Sequence, residues 1–418
     1  MILAGFAEGA TPSRGGIGLV AVPEILRSTA ARGHRIVLVM SEPANPDSTN
    51  LVVPDADRVL ANNTGAFGIV TFKAGLGSWA FSPRVFDRFH DLVRRSDFVL
   101  LHSLYSFPVL AGYLLARYYG KPYGVWPLGV LAPFQRRISP KKKLLYNRLF
   151  VDQILRHAAV IFYTAPGERE EAGDLGLPGP SVVIPHGIDV EEFSELPPRG
   201  AFRGRFLNGH GGPMVLFLAR LALKKGLDLL IEAMKLVVAR RPDAMLAIAG
   251  PADPPAFGDQ VRRWVAESGI AENIVLTGPA DPGLRREALA DADVFALLSQ
   301  AENFGFSVFE AMAAQVPVVV SDKLNYAGEI ARRGAGFSVP RTPEKAAEAI
   351  LRLIEDAELR RHMGVSGREL AAGCSWEENG VKLERTIESL LARRPLPADL
   401  LPSDGFHPTV SRLKPQRG

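Results

Sequence analysis

Short apolar runs of strand length alternate with helical patterns along almost the whole chain. The runs occupy residues 35–40, 98–102, 123–126, 160–164, 181–184, 214–218, 244–249, 273–277, 294–298 and 316–320. Runs this apolar are typical of parallel strands that are covered by helices on both faces. Their alternation with helices indicates repeated strand–helix–strand units. The sequence therefore predicts an α/β protein with two doubly wound Rossmann-like domains.

The two sets of strands are separated by a segment rich in glycine and proline, which ends with Asn-Gly-His-Gly-Gly-Pro at 208–213. Such composition is typical of a connection between domains. We therefore predict an N-terminal domain over 1–195, a linker over 196–213 and a C-terminal domain over 214–393. The last helix of the second domain can pack back on the first. The proline-rich tail over 394–418 is expected to lack regular structure.

Composition limits the location and the cofactors. Cys374 is the single cysteine, so it cannot form an intramolecular disulfide. No window approaches the roughly 18–20 apolar residues that a membrane-spanning helix needs, and no export signal is evident. We therefore expect a cytoplasmic protein. Asp55-Ala-Asp57 and Asp291-Ala-Asp293 resemble a metal-binding Asp-x-Asp, but the second lies where a predicted helix is followed by a buried strand. No Cys/His cluster has ligand spacing. We assign no metal and no cofactor.

The segment 302–310, Glu-Asn-Phe-Gly-Phe-Ser-Val-Phe-Glu, follows an apolar run and is predicted to open a helix. A loop that enters a helix presents unpaired N–H groups and the positive end of the helix dipole, which together favour an anion. The amides of Phe304, Gly305 and Phe306 are therefore expected to bind a diphosphate. Gly305 lets the backbone approach the ligand closely.

Two carboxylates, Glu302 and Glu310, flank this anion site. Because like charges repel, they are expected to bind the hydroxyl groups of a sugar and a ribose rather than the phosphates. This pattern predicts a nucleotide-sugar site. Two alternatives stay open: Ser307 and Glu310 have the spacing of a helix capping box, and Glu302 can be a solvated loop residue.

Arg220 and Lys225 lie between the run 214–218 and the next predicted helix. Cations at a helix N-terminus oppose the helix dipole, so an anionic partner is expected nearby. We expect the two side chains to converge on the leaving diphosphate and to neutralise the charge that develops on it. A solvated pair is the alternative, and Lys224 is left out of the site.

The second half resembles the family-four glycosyltransferases, whose donor motif has two glutamates separated by seven residues. Glu302 and Glu310 match these glutamates, and Phe304-Gly305 falls at the Phe-Gly position of the motif. Arg220 and Lys225 are similar to the diphosphate-binding pair of the family. The resemblance implies the GT-B fold, in which two Rossmann-like domains face a cleft.

The resemblance also implies roles for these residues. Glu302 would contact the donor sugar and act in the transfer together with Arg220 and Lys225. Glu310 would bind the ribose, and the backbone at and after Asn303 would bind the phosphates. The implied reaction is metal-independent and retaining, with a nucleotide diphosphate sugar as the substrate.

The first half also resembles this family. Gly15 and Gly16 lie in a glycine loop, where we expect Gly16 to contact the donor and Gly15 the acceptor across the cleft. A tight turn is the alternative for this loop. His102, at a strand end, is a second candidate for acceptor binding or else a satisfied strand-end histidine. The chain departs from the family at Leu128, where many relatives have His or Arg, and at His186, where Asn is more common.

The segment Arg136–Arg148 interleaves cations with Leu144, Leu145 and Tyr146. Such a segment can lie on an anionic membrane surface, with a solvated loop and helix face as the alternative. No nucleic-acid recognition module accompanies the charge, so a nucleic-acid partner is not expected.

Together these features predict transfer of a hexose-type sugar to a glycan or lipid-linked acceptor, in bacterial envelope polysaccharide synthesis. The protein would be cytoplasmic and peripheral on the inner face of the cell membrane. Two rival functions are a nucleotide-sugar epimerase on the same fold and a non-catalytic nucleotide-sugar-binding protein.

Overall fold

The computed structural model describes residues 1–7, 21–41, 65–72, 80–136 and 145–401. The predictions for Gly15, Gly16, Asp55 and Asp57 lie outside the described residues. So do residues 137–144 of the basic segment and the tail after residue 401.

The first domain contains a seven-stranded parallel sheet in the order β3-β2-β1-β4-β5-β6-β7. Its strands are β1 Ile2–Ala7, β2 Arg35–Ser41, β3 Ala66–Phe72, β4 Phe98–His102, β5 Tyr123–Trp126, β6 Val160–Tyr163 and β7 Ser181–Val183.

The second domain contains a six-stranded parallel sheet in the order β10-β9-β8-β11-β12-β13. Its strands are β8 Met214–Leu218, β9 Met245–Ala249, β10 Ile274–Gly278, β11 Val294–Leu297, β12 Val318–Ser321 and β13 Gly336–Val339.

Helices cover both sheets. In the first domain, the described α-helices are α1 Val22–Ala31, α2 Arg84–Arg95, α3 Phe107–Tyr118, α4 Pro133–Arg136, α5 Asp152–Arg156 and α6 Pro166–Glu171. They are followed by α7 Ala201–Phe206, α8 Leu227–Arg240, α9 Phe257–Glu267, α10 Pro282–Asp291, α11 Phe306–Ala313, α12 Ala327–Arg332, α13 Pro343–Glu355, α14 Ala357–Ala372 and α15 Trp376–Leu391.

Both faces of the first sheet are buried, which explains its continuous apolar runs. Along β2, Val37 and Val39 pack into one core cluster. Ile36 and Leu38 point the other way into a second cluster that reaches α15. The predicted doubly wound α/β fold is confirmed.

Three strands, β1, β3 and β13, were not predicted from the sequence. In each of them a glycine or alanine interrupts the β-branched pattern. The small residue at Gly336 is required by packing, because a Cβ there would lie 2.1 Å from the carbonyl oxygen of Val318 on β12. A gap in the apolar pattern can therefore mark close strand contact rather than a loop.

The predicted linker differs from the structure in its second half. Residues 201–206 form α7, and Phe202 is buried in the core of the second domain. The buried Arg203 donates to Asp293 at 2.9 Å and to the carbonyl oxygen of Gly212 at 2.5 Å. These contacts attach the second half of the predicted linker to the second domain.

The chain returns to the first domain after the second sheet. Helix α15 packs against α1, and a Cβ on Gly380 would lie 2.6 Å from the Ser28 hydroxyl. The prediction of an irregular tail from 394 is wrong for residues 398–400. Ala398–Leu400 form a 3₁₀ turn, and Leu400 is buried in the core cluster that also contains α15 residues.

Candidate functional site

The donor motif forms a loop that leads into α11. Gly305 has φ = 81°, which is a left-handed conformation that favours glycine, and α11 begins at Phe306. The N–H groups of Val308 and Phe309 donate to the Gly305 carbonyl oxygen. The amides of Phe306 and Ser307 precede the first helical bonds and have no acceptor within the helix.

The capping-box alternative for Ser307 and Glu310 is wrong. Gly305, rather than Ser307, caps the helix, and no side chain donates or accepts at this cap. Glu310 instead accepts a hydrogen bond from Arg285 Nη1 at 2.7 Å. Burial raises the pKa of Glu310, while the charge of Arg285 opposes that shift.

A cavity of about 360 Å³ lies in front of this loop in the second domain. It is lined by all the site residues predicted in this half, namely Arg220, Lys225, Glu302, Asn303, Phe304, Gly305, Phe306 and Glu310. They come from loops after β8 and β11 and from α11. Their convergence follows from the topology, because β8 and β11 are neighbours and their carboxyl ends share one edge of the sheet.

The two predicted cations are paired with carboxylates across the cavity. Lys225 Nζ donates to Glu302, and Arg220 donates to Asp253. The Glu302 side chain is only 16% exposed, so the solvated-loop alternative for this residue is wrong. An anion that binds to Lys225 or Arg220 therefore competes with Glu302 or Asp253 for that cation.

Two more cations line the cavity, Lys224 and Arg285. Lys224 was left out of the predicted site, but it lines this cavity, where burial lowers its pKa and the charge of Glu302 opposes that shift. Arg285 lies on α10 and was missed. Its sequence neighbourhood is an ordinary amphipathic helix, so only the fold reveals that it faces Glu310.

The side chain of Asn303 points toward the first domain. Its Nδ2 donates to the Thr164 hydroxyl at 2.6 Å, and its Oδ1 accepts from Asn325 Nδ2 at 3.2 Å. Tyr326 also donates to the Thr164 carbonyl oxygen at 3.1 Å. Asn303 therefore links the two domains through its side chain, while its backbone lines the donor cavity.

Glu168 lies at the centre of this link and was not predicted. It is 1% exposed and accepts from the Thr164 amide at 2.7 Å, the Thr164 hydroxyl at 2.5 Å and the Gly129 amide at 2.5 Å. Burial raises the pKa of Glu168, and these hydrogen bonds oppose that shift. No motif indicated it, because its partners are mainly backbone groups and residues distant in sequence.

Leu128 and Gly129 occupy the first-domain wall opposite Asn303. Both have positive φ, 58° for Leu128 and 82° for Gly129. A Cβ on Gly129 would lie 3.4 Å from the Asn303 side chain, so the two loops meet in van der Waals contact. A left-handed leucine is strained, and the bond from the Gly129 amide to Glu168 helps to hold this turn.

His102 is buried rather than exposed to the cleft. It is 1% exposed, stacks on Trp126 with ring centroids 5.8 Å apart and is not among the described residues that line the cavities. Within the described part of the chain its ring nitrogens have no hydrogen-bond partner, so it is not a satisfied strand-end histidine. Burial, with a smaller contribution from His186, lowers its pKa to about 3.

His186 packs beneath the donor loop. Its ring stacks on Phe306 at a centroid distance of 5.6 Å, and Phe304 meets it edge-on at 5.6 Å. Burial lowers the pKa of His186 to about 3. The neutral ring of His186 therefore packs against Phe306, the first residue of α11.

The Asp291 and Asp293 pair has a structural role in the second domain. Asp291 accepts from the amides of Gly200 at 2.5 Å and Arg203 at 2.8 Å, and Asp293 accepts from the amide of Met214 at 2.8 Å. These contacts explain the sequence pattern without a ligand.

Comparisons with known proteins support this architecture. The family model described as Glycosyl transferases group 1 matches residues 199–370, and the Glycosyl transferase 4-like domain matches residues 15–187. Sucrose-phosphate synthase from Thermosynechococcus elongatus superposes with a TM-score of 0.69 at 20% identity, over 94% of this chain and 99% of that one. HepE from Anabaena, in complex with UDP-glucose, gives a TM-score of 0.69 at 17% identity, over 93% and 100%.

Two sequence relatives act on inositol compounds, according to their names. The phosphatidyl-myo-inositol mannosyltransferase of Mycobacterium leprae is 26% identical over 381 residues, which are 88% of this chain and 90% of that protein. The D-inositol 3-phosphate glycosyltransferase of Jonesia denitrificans is 26% identical over 249 residues, which are 57% of this chain and 58% of that protein.

The two facing Rossmann-like domains define the GT-B fold. The chain belongs to the family-four glycosyltransferases. No helix in the described part of the chain is both long and apolar enough to cross a membrane.

Proposed function

We propose that the chain transfers a hexose from a nucleoside diphosphate sugar to a glycan or lipid-linked acceptor, with retention of configuration and without a metal ion. The observation that carries this proposal is the donor cavity. Four of its described lining residues are Arg or Lys and two are Glu, and the free amides of α11 open into it. This excess of positive charge suits a diphosphate.

The diphosphate would bind between α11 and the loop after β8. The amides of Phe306 and Ser307 would donate to phosphate oxygens, and the helix dipole would favour the charge. Lys225 and Arg220 would turn from Glu302 and Asp253 or share them with the phosphates. The exchange frees Glu302 to accept from hydroxyl groups of the donor sugar.

Glu310 and Arg285 would bind the nucleoside end of the donor. Glu310 lies about one helical turn into α11, on the cavity wall, where its carboxylate can accept from ribose hydroxyls. Arg285 holds this carboxylate in place, and its positive charge opposes the rise in the pKa of Glu310 that burial causes.

The transfer would occur on the face of the sugar that the phosphate leaves. A bond forms between an acceptor hydroxyl oxygen and the anomeric carbon, while the bond from that carbon to the phosphate oxygen breaks. The electron pair of the broken bond leaves with the diphosphate, whose oxygen accepts the acceptor proton. Lys225 and the α11 amides stabilise the charge that develops on the leaving group.

An envelope glycan or lipid-linked intermediate is the proposed acceptor class. The names of the mannosyltransferase relatives support it. In the basic segment, Arg136 pairs with Asp174 at 2.8 Å, whereas Leu145 and Leu149 are exposed. We propose that the described end of this segment contributes apolar side chains to a cytoplasmic-side membrane surface.

Titration with GDP, UDP and their sugar derivatives tests the donor proposal. We expect the wild-type chain to bind a nucleoside diphosphate and to release it from one nucleotide sugar when acceptor is added. Lys235, an exposed residue of α8 paired with Glu232, provides a matched control for Lys225. Interconversion of nucleotide sugars without acceptor would instead indicate an epimerase, and binding without turnover a non-catalytic protein.

A further inference from the structure

Three side chains that can ligate a metal ion meet where the last helix packs against the first domain. They are His34, in the turn between α1 and β2, and Glu384 and Glu388 on α15. One ring nitrogen of His34 and one carboxylate oxygen of each glutamate all lie within 4.8 Å of one another. Zinc bonds of about 2.0–2.2 Å place tetrahedral ligands about 3.4 Å apart, so a small side-chain rotation brings the three groups into range.

Helix packing places the two glutamates together. Residues four apart are neighbours on a helix surface, so Glu384 and Glu388 lie one turn apart on the same face of α15. Leu383 and Ile387 precede them and are buried in the core cluster that also contains residues of the first sheet. This buried side of α15 fixes the helix and holds both carboxylates beside the end of α1.

His34 is held in a fixed orientation. Gly33, with φ = 99°, allows the turn that leads from α1 into β2. The His34 side chain is only 9% exposed, and its Nε2 lies 2.7 Å from a Glu384 carboxylate oxygen. Its Nδ1 lies 3.2 Å from the amino nitrogen of Met1. A ring that is held at both nitrogens loses little further freedom when it binds an ion.

The two carboxylates differ in their partners. Arg32 donates to Glu384, and the Arg32 side chain is 37% exposed. Burial alone would raise the pKa of Glu384, but hydrogen bonds with Arg32 and His34 lower it overall. Glu388 is exposed and has no hydrogen-bond or ion-pair partner within the described ranges. One carboxylate is therefore available, and the other is held by an arginine that solvent can reach.

The chemistry of the three groups indicates the kind of ion. Mg²⁺ and Ca²⁺ prefer oxygen ligands. Imidazole together with carboxylates suits zinc and related transition metals. Three protein ligands leave a fourth zinc position for water.

We propose that His34, Glu384 and Glu388 bind one Zn²⁺ ion, which fastens α15 to the first domain. The ion would take the place of the Arg32 guanidinium beside Glu384. The sequence gave no signal for such a site, because His34 and Glu384 are 350 residues apart.

The ion would lie away from the reacting sugar. His34 precedes β2 and therefore lies at the amino ends of the first-domain strands. Leu128 and Thr164, which face the second domain, follow β5 and β6 at the carboxyl ends. The site therefore takes no part in the proposed transfer, which needs no metal ion.

Calorimetric titration of the whole chain with ZnCl₂ at pH 7.5, after treatment with EDTA, tests the proposal. At this pH an ordinary imidazole is mostly neutral. Glu388→Gln is the main variant, because it removes a ligand without breaking a described contact. Glu377, another exposed glutamate of α15, lies outside the cluster, so Glu377→Gln is the matched control. His34→Gln and Arg32→Gln complete the set, and MgCl₂ is the comparison ion.

We expect the wild type and Glu377→Gln to bind one equivalent of Zn²⁺ with a Kd of about 10 µM or lower. Glu388→Gln and His34→Gln should bind it about tenfold or more weakly. Arg32→Gln should bind it more tightly, because the competing cation is gone. Glu388→Gln alone decides the ligand question if His34→Gln does not fold.

Thermal unfolding gives a second measurement. Zn²⁺ at about ten times its Kd should raise the Tm of the wild type and Glu377→Gln by about 2 °C, and that of Glu388→Gln by less. The lack of one bound equivalent of Zn²⁺ in the wild type would overturn the proposal. So would an unchanged affinity in Glu388→Gln, weaker binding by Arg32→Gln, or equally tight binding of Mg²⁺.

Discussion

The two walls of the cleft are built in different ways. The second-domain wall collects its charged side chains from the loops after β8 and β11 and from helices α10 and α11, and four cations line the cavity in front of the α11 N-terminus. The first-domain wall offers strained backbone at Leu128 and a buried carboxylate, Glu168, that fixes it. The difference suggests that one wall binds charge while the other sets the position of the reacting groups.

The largest effect on activity is expected for Lys225→Ala, which tests whether the second-domain wall binds the charge of the diphosphate. If Lys225 stabilises charge on the leaving diphosphate, kcat should fall by roughly 10²–10³-fold, as for the loss of an oxyanion donor. Steady-state transfer kinetics, with Lys235→Ala as the control, would measure it. An unchanged kcat/KM would remove Lys225 from the transition state and leave it as a structural partner of Glu302.

Glu168→Gln tests the positioning wall. The substitution keeps the shape of the side chain but puts an amide against donors of Thr164 and Gly129, so the Leu128 turn should shift. We expect kcat to fall by roughly 10–100-fold, because small displacements of reacting groups are costly. Nucleotide affinity should be unchanged. A parallel loss of nucleotide affinity would show that the two walls are not functionally separate.

Glu310→Ala tests the nucleoside end of the donor cavity. We expect the affinity for GDP or UDP to fall by about tenfold, the equivalent of about 1.4 kcal/mol, with a smaller change in kcat. Calorimetric titration would measure the affinity, and thermal unfolding provides the control for fold. An effect confined to thermal stability would contradict the role in ribose binding.

The smallest effect on activity is expected for His102→Asn. A folded-state pKa of about 3 keeps His102 neutral near pH 7, so the pH profile of kcat/KM should be unchanged between pH 6 and 8. The unfolded chain takes up a proton below its ordinary pKa of 6.5. Because of this residue, the free energy of unfolding of the wild type should therefore be about 2 kcal/mol lower at pH 5 than at pH 7.

Denaturant unfolding of the wild type and His102→Asn at pH 7 and pH 5 would measure that loss. The stability contributed by neutral His102 is complete above pH 6.5 and declines as pH falls toward 3. The variant should lose less stability on acidification than the wild type. Equal losses would show that His102 is not held neutral by burial.

The sequence predicts the second-domain wall well because its signals are local. Glu302 and Glu310 lie in one segment, and the loop enters a helix whose start is marked by Gly305. Arg220 and Lys225 follow β8, whose neighbour in the sheet is β11. Local spacing and sheet topology together were enough to bring these residues into one site.

The first-domain wall was not predicted, because its contacts join residues that are far apart in the sequence. Glu168 accepts a hydrogen bond from the Gly129 amide and is linked to Asn303 through the Thr164 hydroxyl. Thr164 and Asn303 are 139 residues apart in the sequence. Arg285 and Lys224 were also missed or misassigned, since each has an ordinary neighbourhood in sequence. His102 was placed at a strand end correctly, but its burial depends on packing against Trp126, which the sequence did not predict.

A crystal structure with a bound nucleoside diphosphate would show whether the α11 N-terminus binds the phosphates. We expect phosphate oxygens to lie within about 3 Å of the Phe306 and Ser307 amides, with Lys225 turned from Glu302 toward them. A nucleotide whose phosphates lie away from α11, with the pair of Lys225 and Glu302 unchanged, would rule out the proposed donor site.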